Sequence, residues 1–300
     1  MMLEKLGAIL ELTRPHNLIV AMLGVLAGYF AASTAYGENE LSTDPGLATV
    51  MLIVALIAAA GYIINDYYDL ESDSISKPWR PLPSGRISLK EARTLAYAFF
   101  AGGVASALGL GLLILAFVLV NACLVHEYSR WIKRSGLLGN MVVALNSSAT
   151  ILIGSLYKAV EEAAPLPLAS LIPAIIAYSL VFGREIVKGV EDYHGDKKQC
   201  YMTLAVTRGP VRASKLASIV LSATILLAPI PLLYGQYGVV YLVLSSTTIA
   251  LIVHAIYMLT RASTVEEAIE IARRTRSTLK VAFLTGVMGF LLDPLYSIAI

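Results

Sequence analysis

Charge, cysteine and histidine are all scarce in this sequence of 300 residues. Lys, Arg, Asp and Glu together make up only 15% of the chain, whereas a soluble domain carries about 25%. Two Cys and four His without zinc-type spacing exclude a disulfide framework and a zinc site. The net charge of +2 and the lack of a basic arm argue against nucleic acid as a partner. What is abundant is apolar: 57% of residues are hydrophobic and mean hydropathy is +0.71, which indicates a polytopic membrane protein.

Long uncharged runs predict how often the chain crosses the membrane, because one crossing needs about 20 apolar residues. Two runs, 94–126 and 216–260, are too long for one crossing and have basic residues at both ends, so each should cross twice. Glycine and proline place their turns at 109–111 and 231–238. The single crossings are predicted at 15–37, 45–65, 135–157, 163–183 and 281–292. We therefore expect an all-α protein with nine transmembrane helices.

The distribution of basic residues predicts the orientation of these helices. With the N-terminus inside, every Lys and Arg except Lys158 falls on the same side of the membrane. Positive flanks favour the cytoplasm, so we expect a multi-pass protein of the cell membrane. Between the last two crossings, residues 263–277 carry a capping box from Thr264 to Glu267 and an apolar stripe, which predict a separate interfacial helix.

A dense acidic motif follows the second predicted crossing, in the stretch "GYIINDYYDLESDSISKPWRPLPSGRIS". On a helix, Asp66, Asp69 and Asp73 share one face at i, i+3 and i+7, and Asn65 lies one turn before Asp69. Like charges placed so closely repel each other. Hard divalent cations bind carboxylate and amide oxygens, and Mg²⁺ typically combines one or two carboxylates with phosphate oxygens.

A second polar cluster follows the sixth predicted crossing, in "FGREIVKGVEDYHGDKK". Asp192 and Asp196 stand at i and i+4, Lys188 lies one turn before Asp192, and Arg184 lies one turn before Lys188. One helical face therefore reads Arg, Lys, Asp, Asp.

Both acidic clusters precede basic loops on the predicted cytoplasmic side, so the chain resembles a diverged internal repeat. We expect one domain over 1–300 with halves near 1–134 and 135–300, whose two acid-tipped helices face a central cavity. A diphosphate with an apolar tail suits such a site: metal ions join its oxygens to the carboxylates and stabilise it as a leaving group.

These motifs are similar to those of the UbiA superfamily of intramembrane prenyltransferases. "NDYYDLESD" matches its Asn-Asp-x-x-Asp-x-x-x-Asp pattern and "DYHGD" its Asp-x-x-x-Asp pattern. "RPLPSGRIS" from Arg80 and "TRPHN" with Arg14 and Asn17 are also typical of it. The resemblance implies nine helices around a central cavity, cytoplasmic cap segments, Mg²⁺-bound prenyl diphosphate and a lateral opening to lipid.

Within this superfamily, "KPWRPLPSGRIS" and "GREIVKGVEDYHGDKK" look most like archaeal digeranylgeranylglyceryl phosphate synthases. That likeness implies transfer of a geranylgeranyl group from its diphosphate to geranylgeranylglyceryl phosphate, with an ether formed during membrane lipid synthesis. The alternative within the superfamily is a polyprenyltransferase acting on 4-hydroxybenzoate or a similar aromatic acceptor. The expected partners are thus a prenyl diphosphate, a lipid-like or aromatic acceptor and membrane lipid. No protein partner is indicated.

The clusters and the resemblance together give a set of predicted site residues. The predicted metal ligands, for Mg²⁺, are Asn65, Asp69, Asp73, Asp192 and Asp196. The predicted substrate-binding residues are Arg14, Asn17, Arg80, Arg86, Asn146, Arg184, Lys188 and Arg208. The predicted catalytic residues are Asp66, Asp73 and Lys188.

Three other functions fit the sequence less well. A CDP-alcohol phosphotransferase requires an Asp-Gly…Ala-Arg…Gly…Asp…Asp pattern that the sequence lacks. A transporter needs polar sites near the midplane, whereas the acidic motifs lie at helix ends. An EF-hand in "DYYDLESD" lacks the ligand spacing and the central glycine.

Overall fold

The structure is a computed structural model that describes residues 2–38, 44–235 and 237–299. Over these ranges the chain forms α-helices and short 3₁₀ turns, without a β-strand. The helices are α1 Met2–Thr13, α2 Pro15–Tyr36, α3 Pro45–Tyr68, α4 Leu70–Ser76, α5 Leu89–Ala107, α6 Leu112–Arg130, α7 Leu137–Glu161, α8 Ile172–Glu191, α9 Tyr193–Lys198, α10 Leu204–Arg208, α11 Pro210–Leu227, α12 Ile230–Leu233, α13 Val239–Thr260 and α14 Val265–Ala299.

Nine stretches within the described residues are long and apolar enough to cross a membrane. They contain α2, α3, α5, α6, α7, α8, α11, α13 and α14, some extended by an adjoining short turn. The predicted all-α fold with nine crossings is therefore confirmed.

Both long apolar runs turn back where the sequence predicts. In the first, α5 continues through a 3₁₀ turn to Leu110, and Gly111 adopts a φ of 93° before α6 begins. This backbone conformation is open to glycine at little cost. In the second, α11 ends at Leu227, α12 makes one further turn, and α13 begins at Val239.

The chain divides into two compact units. Unit 1 comprises Met1–Val25 and Thr43–Trp131, and unit 2 comprises Leu26–Ser42 and Ile132–Ile300. The boundary lies inside α2. That the chain acts as a single domain with two diverged halves remains a prediction.

In unit 1, α3 is the central helix and packs against α1, α5 and α6. Two glycines allow this close packing: a Cβ on Gly61 would lie 2.4 Å from Val125 Cγ1, and one on Gly103 would lie 2.8 Å from Ile57 Cδ1. On α1, Ala8 and Leu12 are buried while Leu6 and Leu10 are exposed. Helix α1 is therefore amphipathic.

In unit 2, α8 packs against α7, α11 and α14, and α14 also pairs with α13. Small side chains such as Ala213, Ala217 and Ala255 are fully buried in this core. Small residues let membrane helices approach closely, which dispersion contacts then stabilise. This packing fixes the polar end of α8.

The predicted separate interfacial helix at 263–277 is wrong. The capping box exists, because the Glu267 N–H donates to Thr264 Oγ1 at 3.2 Å and the Thr264 N–H donates to Glu267 Oε2 at 3.2 Å. However, α14 continues without a break into the last crossing, since no glycine or proline interrupts the helix there. Ala268 and Ala272 of its apolar stripe are buried in the unit 2 core.

Lys158, the basic residue that the predicted topology leaves alone on its side, is buried in unit 2. Its Nζ lies 2.7 Å from Glu38 Oε1, 2.7 Å from Glu162 Oε1 and 3.5 Å from Glu161 Oε2. The hydrogen bond from Lys158 lowers the pKa of Glu162. A buried charge must be paired. These three carboxylates therefore explain how the charged Lys158 side chain can be buried.

Candidate active site

The first acidic cluster is built at the end of α3 and in the short helix α4. Asp69 joins the two helices, and its N–H donates to the Asn65 carbonyl at 3.0 Å. The Asp73 N–H donates to the Asp69 carbonyl at 2.8 Å, so the helical path continues across the junction. Asp66 is 5% exposed and Asp73 is 4% exposed. Two buried carboxylates thus lie two turns apart on the helical face that the spacing predicts.

Basic side chains surround these buried carboxylates. Arg14 binds the Asp66 carboxylate. Arg80 Nη1 lies 2.6 Å from Asp73 Oδ2 and 3.3 Å from Asp66 Oδ1, and Lys77 Nζ lies 3.6 Å from Asp73 Oδ1. Two acids from different helices therefore converge on one guanidinium nitrogen. Lys77 is a member of this cluster that sequence reasoning missed, although it stands one turn after Asp73.

Local backbone structure brings Arg14 and Arg80 to the acids. Arg14 links α1 to α2 with a φ of 52°, and its guanidinium lies 5.0 Å from the centre of the Tyr62 ring. Arg80 lies in the basic loop after α4, which is anchored by the buried side chains of Leu82 and Ile87. The loop is ordered by apolar burial, so its arginine is held in place.

Arg86 and Asn17, two further predicted substrate-binding residues of unit 1, have other contacts. Arg86 Nη2 donates to Glu11 Oε2 at 2.8 Å and to the Trp79 carbonyl at 2.7 Å, which ties the basic loop to α1. The Asn17 N–H donates to the Arg14 carbonyl at 2.9 Å, in the first turn of α2. Their roles in substrate binding remain predictions.

The second acidic cluster lies where α8 gives way to α9. Asp192 ends α8, and the Asp196 N–H donates to the Asp192 carbonyl at 2.9 Å. Burial, with the negative charge of Asp192, raises the pKa of Asp196 to about 6, although Lys188 opposes the shift. The structure therefore brings the predicted Asp192 and Asp196 together, at an electrostatic cost that a bound cation would relieve.

Sequence reasoning also missed the partners of the α8 charges. Glu185 is buried, with its Oε1 3.2 Å from Arg184 Nη1 and its Oε2 3.7 Å from Lys188 Nζ. The i, i+3 spacing to Lys188 was the available signal. Glu191 Oε2 accepts from Arg276 Nη1 of α14 at 2.9 Å. No local pattern could reveal a pair separated by 85 positions in the sequence.

The segment after the second cluster is fixed by a backbone contact within unit 2. The Met202 N–H donates to the Arg134 carbonyl at 3.1 Å. Gly136 has a φ of 60°, and a Cβ there would lie 1.8 Å from the Met202 carbonyl oxygen. Only glycine allows this approach. The predicted Arg208 ends α10 and is exposed.

Among the buried polar side-chain atoms of unit 2 without a hydrogen-bond partner in the described residues are Asn146 Oδ1 and Arg184 Nε. A buried polar group without a partner costs about 1–3 kcal/mol. Both belong to predicted substrate-binding residues. A bound ligand with complementary donors and acceptors would satisfy them.

The residues present fit a magnesium ion. No group of three or more His, Cys, Asp or Glu side chains converges within the described parts of the chain. Each cluster instead offers two predicted acidic ligands one turn apart, Asp69 with Asp73 and Asp192 with Asp196, and the Asp73 carboxylate already binds a cationic nitrogen of Arg80. Carboxylate oxygens, with the rest of the coordination supplied by water and phosphate, are what Mg²⁺ prefers.

Comparison with known proteins decides between the candidate classes. The family model of the UbiA prenyltransferase family matches residues 21–292. The chain belongs to this family. The expected enzyme class, a membrane prenyltransferase similar to the digeranylgeranylglyceryl phosphate synthases, is therefore confirmed.

Relatives of this UbiA family member match it over nearly its whole length. A digeranylgeranylglyceryl phosphate synthase of Hyperthermus butylicus is 46% identical over 296 residues, covering 96% of this chain and 97% of the relative. The corresponding protein of Saccharolobus solfataricus is 36% identical, with 97% and 98% covered.

Solved structures agree with this assignment. A structure of digeranylgeranylglyceryl phosphate synthase in membranes is 27% identical, covers 98% of this chain and 99% of that one, and has a TM-score of 0.78. A UbiA homologue of Archaeoglobus fulgidus, bound to GPP and Mg²⁺, is 22% identical with a TM-score of 0.65. The match covers 93% of this chain and 99% of the homologue's chain. At that identity the likeness shows the fold alone.

Proposed function

We propose that this enzyme transfers the geranylgeranyl group of geranylgeranyl diphosphate to geranylgeranylglyceryl phosphate, forming an ether in membrane lipid synthesis. The observation that carries the proposal is the buried pair of Asp66 and Asp73, which converges on Arg80. It occurs in a chain similar over almost its full length to digeranylgeranylglyceryl phosphate synthases.

Both clusters would contribute metal ligands for binding the donor. Asn65, Asp69 and Asp73 in the first cluster, and Asp192 and Asp196 in the second, would hold Mg²⁺. When bound, Mg²⁺ neutralises charge on the diphosphate and makes it a better leaving group.

Cationic side chains complete the binding of the two phosphorylated substrates. Arg14, Arg80 and Lys77, which lie against Asp66 and Asp73, would supply positive charge to the diphosphate. Lys188, on the α8 face that leads to Asp192, stabilises the departing diphosphate in the transition state. Arg86, Arg184 and Arg208, with Asn17 and Asn146, bind donor or acceptor.

The acceptor requires a dissociative reaction. Its alcohol is far too weak an acid to be deprotonated beforehand, so it attacks the allylic carbon after the C–O bond to diphosphate has largely broken. The alcohol oxygen forms the ether bond, diphosphate leaves with the electron pair, and Asp66 or Asp73 accepts the proton late. A donor fluorinated near the reacting carbon should therefore react much more slowly, because fluorine destabilises the cation. Normal single-turnover rates with such a donor would mean direct displacement.

The acceptor distinguishes this function from the alternative, an aromatic polyprenyltransferase. Membranes containing the enzyme are incubated with labelled geranylgeranyl diphosphate and either geranylgeranylglyceryl phosphate or 4-hydroxybenzoate. We expect label in the lipid ether alone, abolished by EDTA and restored by Mg²⁺. Label in prenylated hydroxybenzoate alone would establish the alternative, and full activity in EDTA would exclude the metal role.

We also propose that both acidic motifs face the cytoplasm, as the side that carries nearly all Lys and Arg indicates. In a variant without Cys123 and Cys200, single cysteines introduced within 74–90 should resist an impermeant reagent added outside intact cells. Cysteines within 160–164 should react. Labelling of cysteines within 74–90 from outside would show that the topology is the reverse of the one proposed.

A further inference from the structure

Unit 1 contains a groove between α1 and the first half of α5. Its volume is about 430 Å³, and its apolar wall is formed by Ile9, Ile87, Leu95 and Ala98. The acidic cluster lies at the end of α3, and none of its members lines the groove. The groove is therefore separate from the candidate active site.

The groove surroundings suit a lipid chain. Leu6 and Leu10 on α1 are 54% and 52% exposed, and Leu89 at the start of α5 is 43% exposed. Leu89 also begins a membrane-spanning stretch. A groove that opens among exposed leucines at the start of a span faces hydrocarbon, where its occupant is an acyl or isoprenoid chain.

Of the two lysines that line the polar end of the groove, Lys90 is the one available to pair with an anion. Lys5 Nζ binds Glu91 Oε1 at 2.8 Å, while the Ser88 N–H and Oγ donate to Glu91 Oε2 at 2.9 and 2.8 Å. Both oxygens of Glu91 are thus occupied. Lys90 is exposed and makes no hydrogen bond or ion pair within the part of the chain that the structure describes.

The position of Lys90 points to the chemistry of the headgroup. It is the second residue of α5, at the polar end of the groove. A lysine at a helix end reaches the level of lipid phosphates while its stem lies along apolar surface. Such a lysine contributes about 1 kcal/mol of attraction to anionic lipid.

We propose that this groove binds an anionic membrane phospholipid, with one chain along Ile9, Leu95 and Ala98 and its phosphate paired with Lys90. The bound lipid would fasten α1 to α5. Because α1 leads directly into Arg14, it would also stabilise the segment that carries this arginine.

The test compares two lipids with the same chains. Dioleoylphosphatidylglycerol, which is anionic, and dioleoylphosphatidylcholine, which is zwitterionic, are titrated into the full-length protein in detergent, with binding followed by native mass spectrometry and thermal unfolding. We expect phosphatidylglycerol to bind at least about 5-fold more tightly, the ratio that corresponds to one lysine–phosphate contact. Glycerol phosphate, a headgroup without chains, should not raise the melting temperature.

Two variants test the two halves of the proposal. Lys90→Ala should weaken phosphatidylglycerol about 5-fold and phosphatidylcholine by less, because the choline ammonium already offsets the charge of the phosphate. Lys215→Ala, which removes another exposed lysine, in the first turns of α11, is the matched control and should change neither. Ala98→Phe fills the groove and should weaken both lipids.

Several outcomes would overturn the proposal. They are equal binding of the two lipids by the wild type, equal losses in Lys90→Ala and Lys215→Ala, or unchanged lipid binding in Ala98→Phe with normal folding. Stabilisation by glycerol phosphate alone would show a free-anion site in place of a lipid site.

Discussion

The two acidic clusters differ in how their charge is balanced. In the first cluster, the buried Asp66 and Asp73 each contact basic side chains from other segments, Arg14 and Arg80. In the second, Asp192 is exposed and the pKa of the partly buried Asp196 is raised to about 6, mainly by burial and by Asp192. The acids of the first cluster are therefore held in ion pairs with cations from other segments, while repulsion between neighbouring acids contributes to the raised pKa of Asp196 in the second.

This difference suggests distinct responses to magnesium. A cation entering the first cluster competes with Arg80 for the same carboxylates, so part of its binding energy is offset by the broken ion pairs. A cation entering the second cluster relieves repulsion between two acids. We expect the second cluster to gain more stability from Mg²⁺ than the first.

The largest expected effect is on turnover. Asp69→Asn and Asp192→Asn should each lower it by at least about 100-fold, the loss of one strong electrostatic contact in the transition state. Glu71→Gln, which neutralises an exposed acid on α4, is the matched control and should retain nearly full activity. Rates are measured from labelled ether product at saturating Mg²⁺.

The double variant tests whether both clusters serve one donor. If they do, Asp69→Asn with Asp192→Asn should lose little more than either alone, because residues that act as a unit are not additive. Multiplied losses of about 10⁴-fold would show that the clusters act independently.

The next effect is on stability in EDTA. Arg80→Met leaves Asp66 and Asp73 buried without their shared partner, and should lower the free energy of unfolding by about 2 kcal/mol. Lys188→Met removes a partly exposed cation from the second cluster and should cost about 0.5 kcal/mol or less. Denaturant unfolding in detergent measures both. Equal losses would contradict the difference in charge balance.

The smallest effect is a pH dependence that arises in the second cluster. The folded pKa of Asp196, about 6, lies above the reference value of 3.8, so between these pH values the folded protein holds a proton that the unfolded chain has lost. The ionised carboxylate therefore destabilises the fold above pH 6. In EDTA, wild type should lose about 1 kcal/mol relative to Asp196→Asn between pH 5 and pH 8, after allowance for its partial exposure.

Magnesium provides the control for this pH experiment. The cation binds the ionised carboxylate and should make the wild type at pH 8 more stable than Asp196→Asn. A difference between the two proteins that stays constant from pH 5 to pH 8 in EDTA would show that Asp196 titrates normally.

The helical fold and the local composition of both clusters follow from sequence alone. The uncharged runs predict nine crossings because backbone groups in hydrocarbon must be bonded internally, which the α-helix achieves within one segment. Glycine near 109–111 marks a turn for a local reason, its access to positive φ. The i+7 and i+4 spacings likewise place Asp66 on one face with Asp73, and Asp192 on one face with Asp196, since helical periodicity is local.

Sequence reasoning failed where the outcome depended on distant packing. The pattern of 263–277 predicts an amphipathic helix. Only the packing of unit 2 decides that the apolar side of this helix, with Ala268, is buried in the core and does not lie on the membrane surface. The same holds for Arg276, whose pairing with Glu191 joins α14 to α8.

The sequence by itself determined the nine membrane crossings and the residues that carry charge, because those properties depend on composition and on periodicity within a few turns. The tertiary structure decided which charges meet. Arg14 reaches Asp66 across 52 positions and Arg276 reaches Glu191 across 85, and neither contact leaves a trace in local spacing. The groove beside Lys90 arose in the same way, from α1 packing near α5, because a cavity is a property of how helices pack and not of any one helix.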